Sequence, residues 1–478
     1  MDMADELLSI GIDIGTSTTQ VIFSRLSVEN TSGYFSVPQV SIVDKQVIYK
    51  GAVHTTPLKT RTMIDADAVA GLVEEEFKRA GFTPRDTQTG AVIITGETAR
   101  KDNAAIVLER LSGFAGDFVV STAGPDLESI IAGKGSGARQ YSEDHSCVTA
   151  NIDIGGGTSN LVLFDRGETV CAGCLDVGGR LIRLSDDLGV DYVSESVKRI
   201  ARWKGIAIAE GERTSVQVLE RICGAMNEVL EQAFGLRPRE EILREVQTPG
   251  SSPFSDTRPV DAYFFSGGVA DAIYGEPAEV FRYGDIGMLL GMAVKRGRLT
   301  TDGRLVRPDE TIHATVVGAG TYTTTISGST ITYTKNIFPM KNVPVLRLSG
   351  EEQDACFEGR YEVLAERMRW AGQQNDSEQL VLAMKGRPNP GYVELKRLAG
   401  ALARAADAVY GPETPLLIIV ECDMAKALGQ AVYHAGRGGR DVIALDSIRV
   451  GDNDYVDMGR PLMGGLVVPV VVKTLVFG

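Results

Sequence analysis

Histidine, tryptophan and cysteine are scarce: four, two and six residues respectively in a chain of 478. His54, His145, His313 and His434 show no HExxH or other ligand spacing, which argues against a histidine-built metal centre. Six cysteines supply no disulfide framework, and a reducing, cytoplasmic setting is expected. The lone CxxC, Cys171-Ala-Gly-Cys174, has no second pair and reads as two small buried strand residues rather than a zinc or redox site. No basic run offsets the net charge of −14, so neither nucleic acid nor an anionic membrane is an expected partner. Long apolar runs are missing too. The most apolar one, Leu466 to Phe477, contains Pro469 and Lys473 and reads as a buried strand, not a membrane span. After the acidic start Met1 to Glu6 comes no apolar stretch with a basic flank, so no secretory signal is expected.

Glycine, at 54 residues, is abundant, and with apolar content at 43% this points to tight turns between packed segments rather than to disorder. Two of those turns repeat one pattern. Ile10-Gly-Ile-Asp13-Ile-Gly15-Thr16-Ser17-Thr18-Thr19 and Asn151-Ile-Asp153-Ile-Gly155-Gly156-Gly157-Thr158 each give an apolar strand, an aspartate, a glycine turn with threonine, and a second apolar strand. A glycine turn lets main-chain N–H groups approach phosphate oxygens with no Cβ in the way. An aspartate at its mouth can hold Mg²⁺ through water, since Mg²⁺ keeps much of its hydration. One such turn is weak evidence; two related by repetition make a clamp for a nucleotide's phosphates and a divalent cation. A third glycine turn, Ser266-Gly267-Gly268-Val269, follows the apolar strand Val260 to Phe265, where adenine or ribose can pack against main chain.

Strands alternating with helical periodicity predict an α/β layered protein. Helices are expected over 67–80, from Pro125 to the glycines at 133–137, over 193–209 and 215–234, and over 285–296, with an amphipathic stretch from Arg180. The charged, turn-rich Arg298 to Glu310 marks a boundary. The expected units are 1–148, 149–305 and 306–478. In the last, Val316-Val-Gly318-Ala-Gly320-Thr321-Tyr-Thr323-Thr324 echoes the opening hairpin, with Gly318 where the aspartate stands. It reads either as a third copy unable to bind metal or as threonine-rich β-structure matching by chance. Strands at 416–420 and 442–445 and a helix at 424–434 make this a further α/β unit.

The three glycine turns, in this order, resemble the ATPase core shared by actin, heat-shock chaperone ATPases and sugar kinases. The first two hairpins look like its phosphate motifs and Phe264 to Ala270 like its adenosine motif. The segments 124–137 and 284–293 look like its two connecting helices. The resemblance implies a duplicated actin-like (ribonuclease H-like) α/β core closing on Mg-ATP. Asp13 and Asp153 would be the catalytic, metal-holding pair. Gly15, Thr16, Ser17, Thr18, Gly155, Gly156, Gly157 and Thr158 would lie on phosphate, and Ser266, Gly267, Gly268 and Val269 near adenosine. The chaperone members carry an acidic, water-positioning residue just before the proline of the first connecting helix, where this chain has Gly124. The nearby Glu97, Asp126 and Glu128 read as solvated turn or helix-start carboxylates, which implies slow hydrolysis.

Ile94 to Arg100, Phe264 to Asp271 and the ending Gly459 to Phe477 together resemble the reactivating factors of ethanolamine ammonia-lyase over essentially the whole chain. That resemblance alone implies a chaperone-like ATPase with the cobalamin-bearing lyase as partner, exchanging damaged cobalamin for adenosylcobalamin. It leaves homo-oligomerisation and association with a bacterial microcompartment open. The rival readings are a small-molecule kinase on the same core and a nucleotide-switched scaffold or filament protein.

Overall fold

The computed structural model describes residues 5–15, 18–30, 40–60, 63–94, 103, 106–107, 110–111, 114, 120–121, 124–256, 258–275, 279–301, 304–308, 310–322, 324–327, 330–374, 377, 379–411, 413–451 and 454–474. Thr16, Ser17 and Glu97 lie outside them.

The first hairpin is β1 (Asp5–Ile14) and β2 (Thr18–Asn30), antiparallel, with Asp13 opposite Gln20. β3 (Val40–Lys50) extends it antiparallel on one side. On the other, β4 (Thr89–Ile94) runs parallel to β1, and β5 (Val120–Ser121) parallel to β4. The crossover from β3 to β4 carries α1 (Ala66–Ala80), whose N-terminus is capped by the Asp65 carboxylate accepting from the Ala68 N–H at 3.1 Å. Val69, Val73 and Phe77 of α1 pack on Ile10, Ile12 and Ile14 of β1, the alternation of one strand meeting the helical period of its cover.

The second half repeats this plan. β6 (Val148–Ile154) and β7 (Ser159–Asp165) form the hairpin, with Asp153 opposite Asn160. β8 (Glu168–Leu175) extends it antiparallel, and β9 (Ala262–Ser266) lies parallel to β6. The orders β3-β2-β1-β4 and β8-β7-β6-β9 correspond strand for strand. This is the duplicated core that the repeated motif predicts. Cys171 and Cys174 sit on β8, both free thiols. Where an amphipathic stretch is expected after Arg180, the chain forms the short strand Ile182–Leu184 instead.

Two helices tie the halves together. α2 (Pro125–Gly135) starts with proline in its first turn, where a missing N–H costs nothing, and leaves the first sheet to lie on β6, β7 and β8. Further on, α3 (Val216–Ala233) packs against α4 (Gly287–Arg296) within the second half. α5 (Ala314–Tyr322) then crosses back onto β1, β2 and β4. α2 and α5 touch through glycine. A Cβ on Gly135 would stand 1.9 Å from the Ala314 carbonyl oxygen, and one on Gly318 2.1 Å from that of Ile131.

The segment 314–322 is a helix, so the echo of the opening hairpin is neither a third copy nor a β-hairpin. Its small residues serve a close helix crossing, and packing on both sides overrides the β propensity of its valines and threonines. The helix that crosses α2 is α5, not the 284–293 segment, which forms α4 inside the second half.

The C-terminal unit is an eight-stranded sheet. β10 (Thr324–Ile326) and β11 (Thr332–Tyr333) are its edge strands. β12 (Met340–Arg347), β13 (Val381–Met384), β14 (Leu416–Val420) and β15 (Val442–Asp446) run parallel in its middle. β16 (Asp454–Met458) and β17 (Pro469–Thr474) complete it, β17 being the expected terminal strand. α6 (Tyr392–Val409) and α7 (Ala425–Ala435) cover one face with Leu398, Leu402 and Leu428, against Leu382, Leu416 and Ile418. Val471 of β17 packs with Ala91, Ile93 and Ile131, which ties this unit to the first half.

Candidate functional site

The two hairpins close alike. The Gly15 N–H donates to the Thr18 carbonyl at 2.8 Å, and the Gly155 N–H to that of Thr158 at 2.9 Å. These turns face each other across one cavity of about 490 Å³, a size ordinary for a nucleotide-sized ligand. Asp13, Gly15 and Thr18 line it from the first half, and Asp153, Gly155, Gly156, Gly157 and Thr158 from the second. Gly267, Gly268 and Val269 add a third wall, beside Tyr283. Gly267 adopts φ +83°, and a Cβ there would fall 2.4 Å from the Ile154 carbonyl oxygen, so this turn needs glycine to press on the second hairpin.

Ser266 is placed differently. It is fully buried and off the cavity wall, behind Asp153. Its hydroxyl donates to Asp153 Oδ2 at 2.6 Å and accepts from Asn151 Nδ2 at 3.0 Å. The parallel register of β9 on β6 sets this, because Ser266 pairs with Asp153 itself. Ser266 therefore orients a carboxylate rather than meeting a nucleoside.

Asp153 is 6% exposed. Burial pushes its carboxyl up to about 6, against hydrogen bonds from Ser266 and Thr315 that favour the carboxylate. Thr315 reaches it from α5 at 3.5 Å, so the crossing helix contributes to the second hairpin's aspartate. Asp13 is half-buried at the mouth of the first turn.

Gln20, Asn160 and Thr315, which sequence reasoning missed, also line the cavity, and so does Glu128. Gln20 and Asn160 are the cross-strand partners of the two aspartates, so the strand register was the signal that could have found them. Each amide is held by a residue beside or on a crossing helix. His313 Nδ1 lies 2.6 Å from Gln20 Oε1, and burial lowers the His313 pKa, which favours a neutral ring donating through Nδ1. Asn160 Nδ2 donates to Glu128 Oε1 at 2.7 Å.

Glu128 corrects the expectation of a solvated helix-start carboxylate. It is 7% exposed and faces the cavity, because α2 carries it onto the second sheet. Asp126 is structural: its carboxylate accepts from the Ser251 hydroxyl at 2.8 Å and the Ser252 N–H at 3.0 Å. Asp285, buried and raised by that burial, accepts from the Gly287 N–H at 2.9 Å and pairs with Arg180 at 3.7 Å.

Charge decides what enters. Asp13, Glu128, Asp153, Asp271 and Asp285 stand on the described wall with a single arginine, Arg180. A polyphosphate enters such a cavity only with a cation to offset the carboxylates. The residues fit a hydrated Mg²⁺. Asp13 and Asp153 would supply two hard oxygens, and Asn160 Oδ1, buried and without a hydrogen-bond donor among the described residues, is an acceptor that a metal-bound water would satisfy. Among the described residues no three His, Cys, Asp or Glu side chains converge into a metal site.

Comparison with known proteins adds the family. The family model described as ethanolamine utilisation protein EutA matches residues 5–478. A protein of Salmonella typhimurium named ethanolamine ammonia-lyase reactivase EutA is 36% identical over 486 residues, covering 99% of each chain. Its namesake from Escherichia coli is 34% identical over 476 residues, again covering 99% of each. Among solved structures, a Ppx/GppA family member of Aquifex aeolicus aligns with 66% of this chain and 97% of its own at 12% identity, with a TM-score of 0.40. The ethanolamine utilization protein EutJ from Carboxydothermus hydrogenoformans aligns with 66% of this chain and 89% of its own at 15% identity, with a TM-score of 0.31. With a family match along nearly its whole length, the chain belongs to the EutA family of ethanolamine utilisation proteins.

Proposed function

We propose that this protein is an ATP-driven reactivase of ethanolamine ammonia-lyase, releasing damaged cobalamin from that enzyme so that adenosylcobalamin can enter. The convergence of both aspartate hairpins and the 267–269 turn on one cavity carries the nucleotide part of this reading. The names of relatives matched along their full length carry the client, and they favour neither a small-molecule kinase nor a scaffold. The subdomains are taken as 1–148 and 149–305, with 306–478 as the C-terminal region. No helix of the described residues is long and apolar enough to cross a membrane. The proposed place of action is the cytoplasm, with or without an enzyme shell.

Main-chain N–H groups at Gly156 and Gly157, with the Thr18 and Thr158 hydroxyls, hold the phosphates; Gly15 and Gly155 close the two turns through their own N–H groups and leave room for the phosphate, and Thr16 and Ser17 are assigned to the first turn. Asp13 and Asp153 would hold a hydrated Mg²⁺ from opposite halves, and the ion would supply the positive charge that lets phosphate oxygens approach the acidic wall. Gly267, Gly268 and Val269 face the adenosine, and Tyr283 offers an aromatic face to the base. Glu128, fixed by Asn160, orients the attacking water and accepts its proton. This gives the site the water-positioning carboxylate that Gly124 does not. Because α2 and α5 each lie on the opposite half's sheet, any change in cleft angle shifts them past their glycine contact. ATP and ADP drive that change only by favouring different cleft geometries. The test is to supply ammonia-lyase carrying an inactive cobalamin with this protein, Mg-ATP and adenosylcobalamin. Lyase activity returns under the proposal; no return in the presence of measurable ATP turnover defeats the client assignment.

A further inference from the structure

We propose that the C-terminal unit carries a divalent-cation site of its own, formed by Asp423, Asp446 and Thr330 and suited to a hard ion such as Mg²⁺. Asp446 ends β15, and Asp423 lies just beyond the end of β14 and just before α7. Both are therefore at the carboxyl edge of the parallel strands, where open α/β sheets place ligands. Thr330 enters from the chain leading into β11, and its hydroxyl meets Asp423 Oδ1 and Asp446 Oδ2 together. One hydroxyl has a single proton to give, so it cannot satisfy two carboxylates.

Asp446 is fully buried, and its other oxygen, Oδ1, has no hydrogen-bond donor at ordinary geometry among the described residues, the Ala425 N–H being the main-chain group that acts on the carboxylate. Neither carboxylate has an ion-pair partner among the described residues. Burial raises the Asp446 carboxyl, and the neighbouring Asp423 charge adds to the effect. A buried carboxylate with a second carboxylate beside it requires compensation, either a shared proton or a cation. A cation answers more of the geometry. It gives the buried Oδ1 a partner and uses the Thr330 oxygen as a neutral ligand beside the exposed Asp423. Two carboxylates and a hydroxyl leave the remaining positions to water, the arrangement Mg²⁺ favours.

The site lies outside the nucleotide cavity, so the test removes that cavity's ligands first. On a D13N/D153N chain, Mn²⁺ binding is followed by electron paramagnetic resonance and Mg²⁺-dependent stabilisation by thermal melting. The expected result is one Mn²⁺ per chain and a saturable rise in Tm. Both are weakened at least about tenfold by a further D446N or T330V change. Asp423→Asn, at an exposed position, gives the same loss should D446N not fold. Absence of Mn²⁺ binding in D13N/D153N, or binding indifferent to D423N and T330V, overturns the proposal in favour of a shared proton. Mg-ATP binding by the unaltered chain is a separate readout and is not at stake here.

Discussion

The two hairpins share strand order, turn hydrogen bond and aspartate position, yet their aspartates live in different surroundings. Asp153 is buried beside Ser266 and Thr315, while Asp13 pairs in parallel register with Ile93, an apolar residue, and is more open to the cavity. Their cross-strand amides differ in the same way. Asn160 is held by the carboxylate of Glu128, and Gln20 by the ring of His313. Duplication thus preserved the frame that positions charge and let the surroundings diverge. The second hairpin became the preorganised, desolvated side of the clamp and the first its open side.

The largest effect expected from breaking this comparison is on turnover. Under the proposed function, Asp153→Asn and Asp13→Asn should each reduce Mg-dependent ATP hydrolysis by about 10³-fold or more, since each removes a carboxylate proposed to hold the cation. Steady-state phosphate release checks this. Glu128→Gln follows, with turnover down about 10²-fold or more while nucleotide affinity measured by calorimetry stays within about threefold.

Stability without metal probes the desolvation of Asp153 directly. With the folded Asp153 carboxyl near 6 and its ordinary value at 3.8, folding favours the protonated form. Its contribution is present below the ordinary value and lost as pH rises through about 6. In EDTA at pH 8, Asp153→Asn should stabilise the protein by about 2–3 kcal/mol, with a smaller gain at pH 5. A gain that does not grow between pH 5 and pH 8 would contradict the desolvation of Asp153.

The halves also answer acid in opposite directions. Glu76, in the first half, is buried, and burial pulls its carboxyl up. Hydrogen bonds from Tyr49 and His54 and the Arg79 charge outweigh that and hold it below the ordinary range. Its stabilisation is present above the ordinary carboxylate range and is lost as pH falls through the lowered value. Glu76→Gln should therefore cost about 1–3 kcal/mol at pH 7 and progressively less below pH 4, read by denaturant melts. The smallest effect belongs to Ser266→Ala, which leaves Asn151 Nδ2 and Asp153 Oδ2 short of a partner. It should cost about 1–2 kcal/mol of stability and weaken Mg-nucleotide binding only severalfold.

Much of this was legible in the residues. The hairpins were, because strand–Asp–glycine–threonine is a local pattern and its repetition is visible in one dimension. The cavity's third wall was too, except that Ser266 turned out to face Asp153, a consequence of strand register that spacing alone does not show. Glu128 was misread since its burial depends on α2 leaving its own sheet, which no local signal announces. The segment 314–322 was misread because glycine and small residues suit both a phosphate turn and a tight helix crossing, and only Gly135 and Ile131 on the other helix decide between them. Helices between Gly350 and Val409 also went unread, although Ser349 and Glu352 form a capping box at the start of one.

The account rests on two unlike aspartates serving one ligand, and a calorimetric titration with ATP tests that most directly. It predicts a single site whose affinity depends on Mg²⁺ and is lost in either Asp13→Asn or Asp153→Asn. Tight binding without Mg²⁺, or binding that survives both substitutions, would contradict it.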